Sequence, residues 1–417
     1  MRILTVHKFH YIEGGAERYL FNMSELLREH GHEVIPFSMH HPRNLESKYS
    51  PYFAEHFNPD QLRDAKGRPW ELLRRAGRVC YNRNAQQQLA RLIRDAGPEM
   101  VHVHSLYHHL SPAVLTTLKS FHLPVVMELH DYKLICPNYI FLDGRRRLCE
   151  ACRGRYFFNA LARRCFRDSY SASLLVSLEA TLHKYLATYK KNVDLFVSPS
   201  RFLAEKMKQY GYGEKPIVVQ PYSLDLAAYQ PYFGPSDYYI FMGRLTHEKG
   251  IRFLLQAAKQ IPECRLYLCG TGPLEEEVVA TIAAENLTHV QFLGYQAGEA
   301  LKSLVARSKF AVVTSEWHDN SPLVIYESLA LGKAVIGARL GGIPELINEG
   351  EDGLTYEAGN LSDFVTKVKS LIAQPERTRE MGRRGRAKAE QLFSPQAHYQ
   401  NLLQIYDQAR TLSRSCG

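Results

Sequence analysis

Short β-branched runs alternate with amphipathic helical stretches along most of the chain, and the alternation begins anew once in the middle. This pattern commits a chain to parallel strands joined by crossover helices, because each strand must bury two faces and each helix one. In the first series Ile3 to Val6, His32 to Phe37, Met100 to His104, Pro124 to Leu129, Asp194 to Ser198 and Ile217 to Val219 read as strands. Helices read at Ala16 to His30 and at about Arg201 to Gly211. In the second series the strands are Tyr238 to Met242, Arg265 to Cys269, Val290 to Leu293, Phe310 to Thr314 and Ala334 to Gly337. Helices between them fall at about Gly250 to Gln260, Leu274 to Asn286, Glu299 to Ser308 and Pro322 to Leu331. Three prolines and a glycine between Pro221 and Pro235 mark the linker. The chain has 417 residues, beyond the size at which one core usually stops growing. We therefore expect two Rossmann-like α/β domains, 1–222 and 223–395, with a helix of about 396–417 returning to the first. Phe53 to Ala90, polar and Arg-rich, carries no period that fixes an element.

Doubly wound sheets bind ligands at the carboxyl ends of their strands. Two such crevices facing each other across a cleft would hold a donor on one domain and an acceptor on the other. Hydrophobic residues make up 45% and charged residues 23%, as in ordinary globular proteins. No apolar run reaches the ~20 residues that span a bilayer, and the opening MRILTVHKFH lacks a signal-peptide pattern. The expected location is the cytoplasm, with the inner face of the membrane as a place of work. The net charge is +9. Eight arginines and three acids between Cys136 and Tyr170 supply an excess of five positive charges in one short stretch.

Several loops between strand and helix carry chemistry. Gly14-Gly15-Ala16-Glu17-Arg18 lets backbone N–H groups approach an anion at a helix start. Gly243-Arg244-Leu245-Thr246-His247-Glu248-Lys249-Gly250 puts Arg244 and Lys249 in one loop, where two cations can hold a diphosphate. Gly270-Thr271-Gly272-Pro273 offers a second close backbone approach. Thr314 to Pro322 leads into a helix with Asp319 at its entrance and Glu327 about two turns on, near the same azimuth. Acids so placed accept hydrogen bonds from sugar and ribose hydroxyls. Gly341-Gly342-Ile343-Pro344-Glu345 follows.

From Gly243 to Glu345 the chain resembles the donor-binding half of the family-4 retaining glycosyltransferases of GT-B fold. That family shows Gly-Arg-Leu-x-x-Glu-Lys-Gly, Gly-x-Gly-Pro, Glu-x7-Glu with an internal Pro, and Gly-Gly-x-x-Glu, and all four occur here in order, the third with Asp as its first acid. The resemblance implies that Arg244 and Lys249 bind the donor diphosphate and Glu327 the ribose hydroxyls. Asp319 stands where the family has its first Glu, which contacts the transferred sugar; the carboxylate is kept and its reach is one methylene shorter. Asn320, Ser321 and Pro322 match the backbone near the sugar phosphate. Gly14 and Gly15 match the acceptor-domain glycine loop, and Gly270 and Gly272 a further ligand approach. His130, after the strand Pro124 to Leu129, matches a family histidine near the donor sugar. Transfer with retention at the anomeric carbon is implied, by front-face attack and without a covalent nucleophile. Asp-x-Asp is missing, so no catalytic divalent metal is required. A nucleotide-diphosphate sugar is the expected donor. The expected acceptor is a glycan or lipid-linked hydroxyl.

Cys136, Cys149, Cys152 and Cys165 are spaced C-x12-C-x2-C-x12-C, and four thiols around a central Cys-x2-Cys can close a tetrahedral zinc site. An iron–sulfur cluster, disulfides or no cluster are the alternatives. The insertion of about 136–170 resembles a Cys-containing element of some capsule and lipopolysaccharide glycosyltransferases. The other cysteines, Cys80, Cys264, Cys269 and Cys416, are scattered. Tyr156 to Tyr189 mixes aromatics, Leu, Arg and Lys at near-helical spacing. It reads either as a peripheral membrane contact or as helices packed on the first sheet. Two other functions fit parts of the pattern. A nucleotide-sugar epimerase shares the architecture and needs no acceptor. A nucleic-acid binder would use the Cys/Arg segment but leaves the second-half motifs unexplained, so no nucleic acid is expected as a partner.

Overall fold

The computed structural model describes residues 1–58, 76–154 and 157–415. Tyr156, Cys416 and part of the Phe53 to Ala90 region lie outside the described residues. The chain divides into two compact units, Met1–Gln220 with His398–Gly417, and Pro221–Ala397.

The first unit carries β1 (Arg2–Val6), β2 (Glu33–Phe37), β3 (Met100–Val103), β4 (Val125–Glu128), β5 (Leu195–Ser198) and β6 (Ile217–Val219). They form a parallel sheet in the order β2-β1-β3-β4-β5-β6. From β1 the chain first winds outward to β2, then returns to the other side of β1 and continues to β6. The reversal lies between β1 and β3. Ile3, Leu4, Val101, Val125, Leu195 and Phe196 are fully buried, as expected of a sheet covered on both faces. The terminal helix Pro395–Ser415 buries Leu402, Ile405, Tyr406 and Ala409. Within the first unit, Tyr406 Oη lies 3.0 Å from His102 Nδ1, and Tyr399 Oη lies 2.8 Å from His32 Nε2.

The second unit carries β7 (Tyr238–Met242), β8 (Arg265–Cys269), β9 (Val290–Phe292), β10 (Phe310–Val313), β11 (Ala334–Ala338) and β12 (Gly353–Tyr356). All pair in parallel, in the order β12-β11-β10-β7-β8-β9. Its reversal lies between β7 and β10. The core joins Tyr239, Phe310, Ile336 and Leu268 from the sheet to Leu254, Phe364 and Val368 from the helices.

β12 and the helices Leu361–Ala373 and Pro375–Leu392 go beyond the elements read from sequence. β12 is four residues long and begins with glycine, too short for its period to stand out. In the Arg-rich region the helix Arg83–Ala96 is started by Asn82, whose side-chain oxygen accepts from the Ala85 N–H at 3.1 Å.

Candidate active site

In the second unit the chemistry-bearing loops meet where the strand order reverses. The loop after β7 presents Lys249 and the loop after β10 presents Asp319. Lys249 Nζ lies 2.5 Å from Asp319 Oδ2, and Ser315 Oγ donates to the same oxygen at 2.9 Å. Asp319 is 5% exposed. Lys249 also sits 5.5 Å from the centroid of the Trp317 ring, whose buried indole N–H has no partner among the described residues. An orphaned donor beside a cation and a carboxylate is a mark of a ligand site.

Two glycines let these loops close on one another. Gly250 has φ +68°, and a β-carbon there would stand 1.8 Å from the Thr314 carbonyl oxygen. Thr314 Oγ1 then donates to the Lys249 carbonyl at 2.9 Å, so the cation's backbone is tied to β10. Gly341, at φ +64°, brings the loop after β11 against Asp319, and the Gly342 N–H donates to the Asp319 carbonyl at 2.8 Å. Replacing Gly250 with Ala combines a disfavoured backbone region with a backbone clash. We expect a loss of about 2–4 kcal/mol from the second unit. Urea unfolding followed in that unit measures it; a variant as stable as the parent would refute the close approach.

The remaining sequence candidates of this unit divide. Arg244 shares the loop, is 74% exposed at its side chain, and reaches Glu248 at 3.7 Å. Gly270 and Gly272 lie on the loop after β8, where the Leu245 N–H donates to the Thr271 carbonyl at 2.9 Å. Asn320, Ser321 and Pro322 are buried at the entrance of the helix Leu323–Ala330, and Ser321 Oγ lies 2.7 Å from Tyr326 Oη. Glu327 is on that helix, buried, with Tyr229 Oη donating to Oε1 at 3.4 Å. The structure thus joins Lys249 to Asp319 directly and gives Glu327 a different partner. A hollow of about 730 Å³ opens beside Gly272 and Pro273. Glu275 and Glu276 line it, and their charge disfavours a diphosphate beside them.

In the first unit His130 follows β4. Its Nε2 lies 2.9 Å from His104 Nδ1, and the two rings stack at 5.2 Å. The His102 ring stacks on His104 at 4.5 Å, and His102 Nε2 lies 3.3 Å from Glu128 Oε2. Burial pushes His130 and His102 down to about 3, and His104 well below its ordinary value. The stack is neutral at physiological pH. Burial holds Glu128 well above the carboxylate range. Sequence reasoning missed His102, His104 and Glu128, although His102 and His104 at alternate positions of one strand share a face.

Gly14 and Gly15 are exposed at the start of the helix Gly15–Glu29. The Gly14 N–H already donates to Glu17 Oε2 at 3.0 Å. Glu17 Oε1 lies 3.4 Å from His7 and 4.0 Å from Lys8. An anion reaching the Gly14 amide has to displace that carboxylate.

The zinc expectation finds no support in the geometry. Cys136 Sγ lies 2.9 Å from Asn138 Oδ1, Cys152 Sγ 3.9 Å from the Phe157 carbonyl, and Arg163 Nη1 3.2 Å from Cys149 Sγ. Without a metal, burial and the neighbouring thiols push Cys136 and Cys165 up to about 12 and Cys152 up to about 11. Among the described residues no group of three or more His, Cys, Asp or Glu is placed to hold a metal. All seven described cysteines are free.

Two doubly wound α/β units, one with a cation–carboxylate pair at its reversal point, are the layout of a sugar transferase of GT-B fold. Residues 13–228 match the profile of Glycosyltransferase Family 4, and residues 231–388 that of Glycosyl transferases group 1. The chain belongs to glycosyltransferase family 4. It is similar to the uncharacterized glycosyltransferase MJ1178 of Methanocaldococcus jannaschii, with 21% identity and 98% of each chain covered. It is also similar to an uncharacterized 42.6 kDa protein in the cps region of Klebsiella pneumoniae, 25% identical over 83% of this chain and 87% of the relative. The HepE protein of Anabaena, solved with UDP-glucose, shares the fold at a TM-score of 0.66 and 16% identity, covering 97% of this chain and 99% of that one. No helix among the described residues is long and apolar enough to cross a membrane.

Proposed function

We propose that the chain is a retaining glycosyltransferase that moves a sugar from a nucleoside-diphosphate donor to a hydroxyl of a lipid-linked or polysaccharide glycan intermediate. The observation that carries this is the Lys249–Asp319 pair at the reversal point of the second sheet. Lys249 and Arg244 are assigned to the diphosphate, whose negative charge grows as the sugar leaves. Asp319 is assigned to a sugar hydroxyl and Glu327 to the ribose. Asn320, Ser321 and Pro322 are assigned to the sugar-phosphate end, and the glycine loops at Gly14-Gly15 and Gly270–Gly272 to backbone contacts with the donor. His130 is assigned to a sugar hydroxyl, where a neutral imidazole can donate or accept.

In the reaction the bond from the anomeric carbon to the phosphate oxygen breaks, and the acceptor oxygen forms its bond on the same face. The acceptor's proton passes to the departing phosphate. The UDP-glucose bound by HepE supports a nucleotide-sugar donor. The cps-region relative supports a glycan acceptor. Neither the epimerase nor the nucleic-acid reading gains support from these relatives.

A thermal-shift series with UDP, GDP and ADP and their sugars tests the donor. One nucleoside diphosphate is expected to stabilise the protein by about 3 kcal/mol at a hundredfold excess over its Kd. NMR of the product formed from that donor is expected to show the donor's anomeric configuration. No stabilising nucleotide removes the reading; an inverted product removes the retaining mechanism; sugar interconversion with donor alone favours the epimerase.

A further inference from the structure

The helix Tyr170–Tyr185 in the first unit is built inside out. It buries Ser173, Ser177, Glu179 and His183 with Val176, and leaves its apolar residues outside. Tyr170 is 62% exposed, Leu174 38%, Leu178 47%, Leu182 41% and Tyr185 77%. Leu186, just past the helix end, is 49% exposed. At ~100° per residue, Tyr170, Leu174, Tyr185, Leu178 and Leu182 fall within ~120° of one face. The buried residues lie on the opposite face. The polar face is satisfied: Lys133 Nζ lies 2.6 Å from Glu179 Oε2, and Ser177 Oγ donates within the helix to the Ser173 carbonyl at 2.6 Å. The apolar ridge therefore does not arise from a helix packed the wrong way round.

The Cys-containing insertion runs beside this helix and frames the ridge with cations. Arg164 lies 5.5 Å from the centroid of the Tyr170 ring at one end. At the other end Lys184 Nζ donates to the Gly154 carbonyl at 2.5 Å. Arg145, Arg146, Arg147, Arg153, Arg163, Arg164 and Arg167 are all exposed. Acids of the insertion pair with two of them, Asp143 with Arg147 and Asp168 with Arg164, while Glu150 is tied to Lys206, so the arginines still outnumber the acids. Leu148 and Phe158 of the insertion add exposed apolar surface, at 47% and 44%.

We propose that this ridge and its arginine border are a docking surface for an anionic lipid bilayer, with the leucines entering the acyl boundary and the arginines meeting the phosphates. A contiguous apolar face rimmed by cations is the composition that suits such a surface. A second copy of the chain fits poorly, because a two-fold pairing of this face would bring like-charged arginine borders together. The inference rests on the lipid-linked acceptor reading for its purpose. Vesicle binding is read without donor or acceptor.

Sedimentation with vesicles reads it out. The parent protein is expected to bind vesicles of equimolar phosphatidylglycerol and phosphatidylcholine, to ignore pure phosphatidylcholine, and to leave the anionic vesicles at high salt. The triple variant Leu174→Gln, Leu178→Gln, Leu182→Gln changes only exposed positions. It is expected to bind anionic vesicles about tenfold or more weakly, with an unchanged circular dichroism spectrum. Arg145→Gln with Arg153→Gln is expected to weaken binding and flatten its salt dependence. Absence of anionic-vesicle binding by the parent overturns the proposal. So does equal binding by parent and leucine variant, or a shift of the leucine variant from dimer to monomer with vesicle binding intact. Nucleotide stabilisation is expected to be the same in all three proteins, so failure here leaves the transferase reading standing.

Discussion

Replacing Lys249 with Met is expected to lower kcat/KM by about 10²–10³, with most of the loss in kcat. Lys249 neutralises charge that grows on the departing diphosphate, so its contribution is larger in the transition state than in the bound donor. The substitution has a second effect that must be separated from the first. Asp319 is 5% exposed and takes its charge balance from Lys249 at 2.5 Å, while the Ser315 hydroxyl that also donates to it carries no charge. An uncompensated buried carboxylate costs about 1–3 kcal/mol of stability. The double variant Lys249→Met, Asp319→Asn removes both charges and is expected to recover most of the stability while remaining catalytically poor. Asp319→Asn alone leaves the cation in place and is expected to cost less activity than Lys249→Met. A Lys249→Met enzyme that keeps kcat within a factor of about three of the parent would show that the cation does not act on the leaving group.

The legibility of this pair in the sequence was uneven, for a physical reason. β7 and β8 end where sequence places them, because YYIFM and RLYLC are apolar runs that stop at a glycine loop or start from a charged edge. Strand existence is local information. That Lys249 meets Asp319, seventy positions away, is not local. It depends on β10 returning to lie against β7, and no single run of residues encodes that reversal. The motif order supplied the candidates, and the sheet order supplied the pairing. His102 and His104 show the opposite failure. Their alternate spacing was readable, but nothing local says that both faces of β3 are covered, or that the pair stacks under His130. The helix Tyr170–Tyr185 is a third case. Its mixture of Leu, Ser and Lys has a helical period, and the usual assumption that leucines face inward gives the wrong face. Only the buried partners of Glu179 and His183 decide the orientation.

Acidification is expected to unfold the first unit well before ordinary acid denaturation. His7, His102, His104 and His108 are buried there and His109 and His130 half-buried, and desolvation lowers each of them, His102, His109 and His130 to about 3. A histidine lowered in the folded state contributes stability that is complete above its unfolded value of 6.5. That stability is lost as pH falls from there toward the folded value, because the unfolded chain takes up a proton that the folded chain refuses. For the three held at about 3, the loss between pH 7 and 5 is about 2 kcal/mol each, and His7, His104 and His108 act in the same direction. Glu128 and Asp131 act with the opposite sign. Burial raises both, so their folded forms are favoured below the unfolded carboxylate value and penalised as pH rises through the folded value. Two carboxyls relieved on acidification offset part of a debt owed by six histidines. The remainder is of the order of the ~5–15 kcal/mol that holds a domain together. All six histidines lie in the first unit, so the loss falls there. Proteolysis or circular dichroism against pH is expected to show the first unit opening between about pH 6 and 4, with a proton uptake of more than two on opening. A first unit that stays protected at pH 4 would mean that the imidazole stack is charged or hydrated, and that His130 does not enter the reaction as a neutral group.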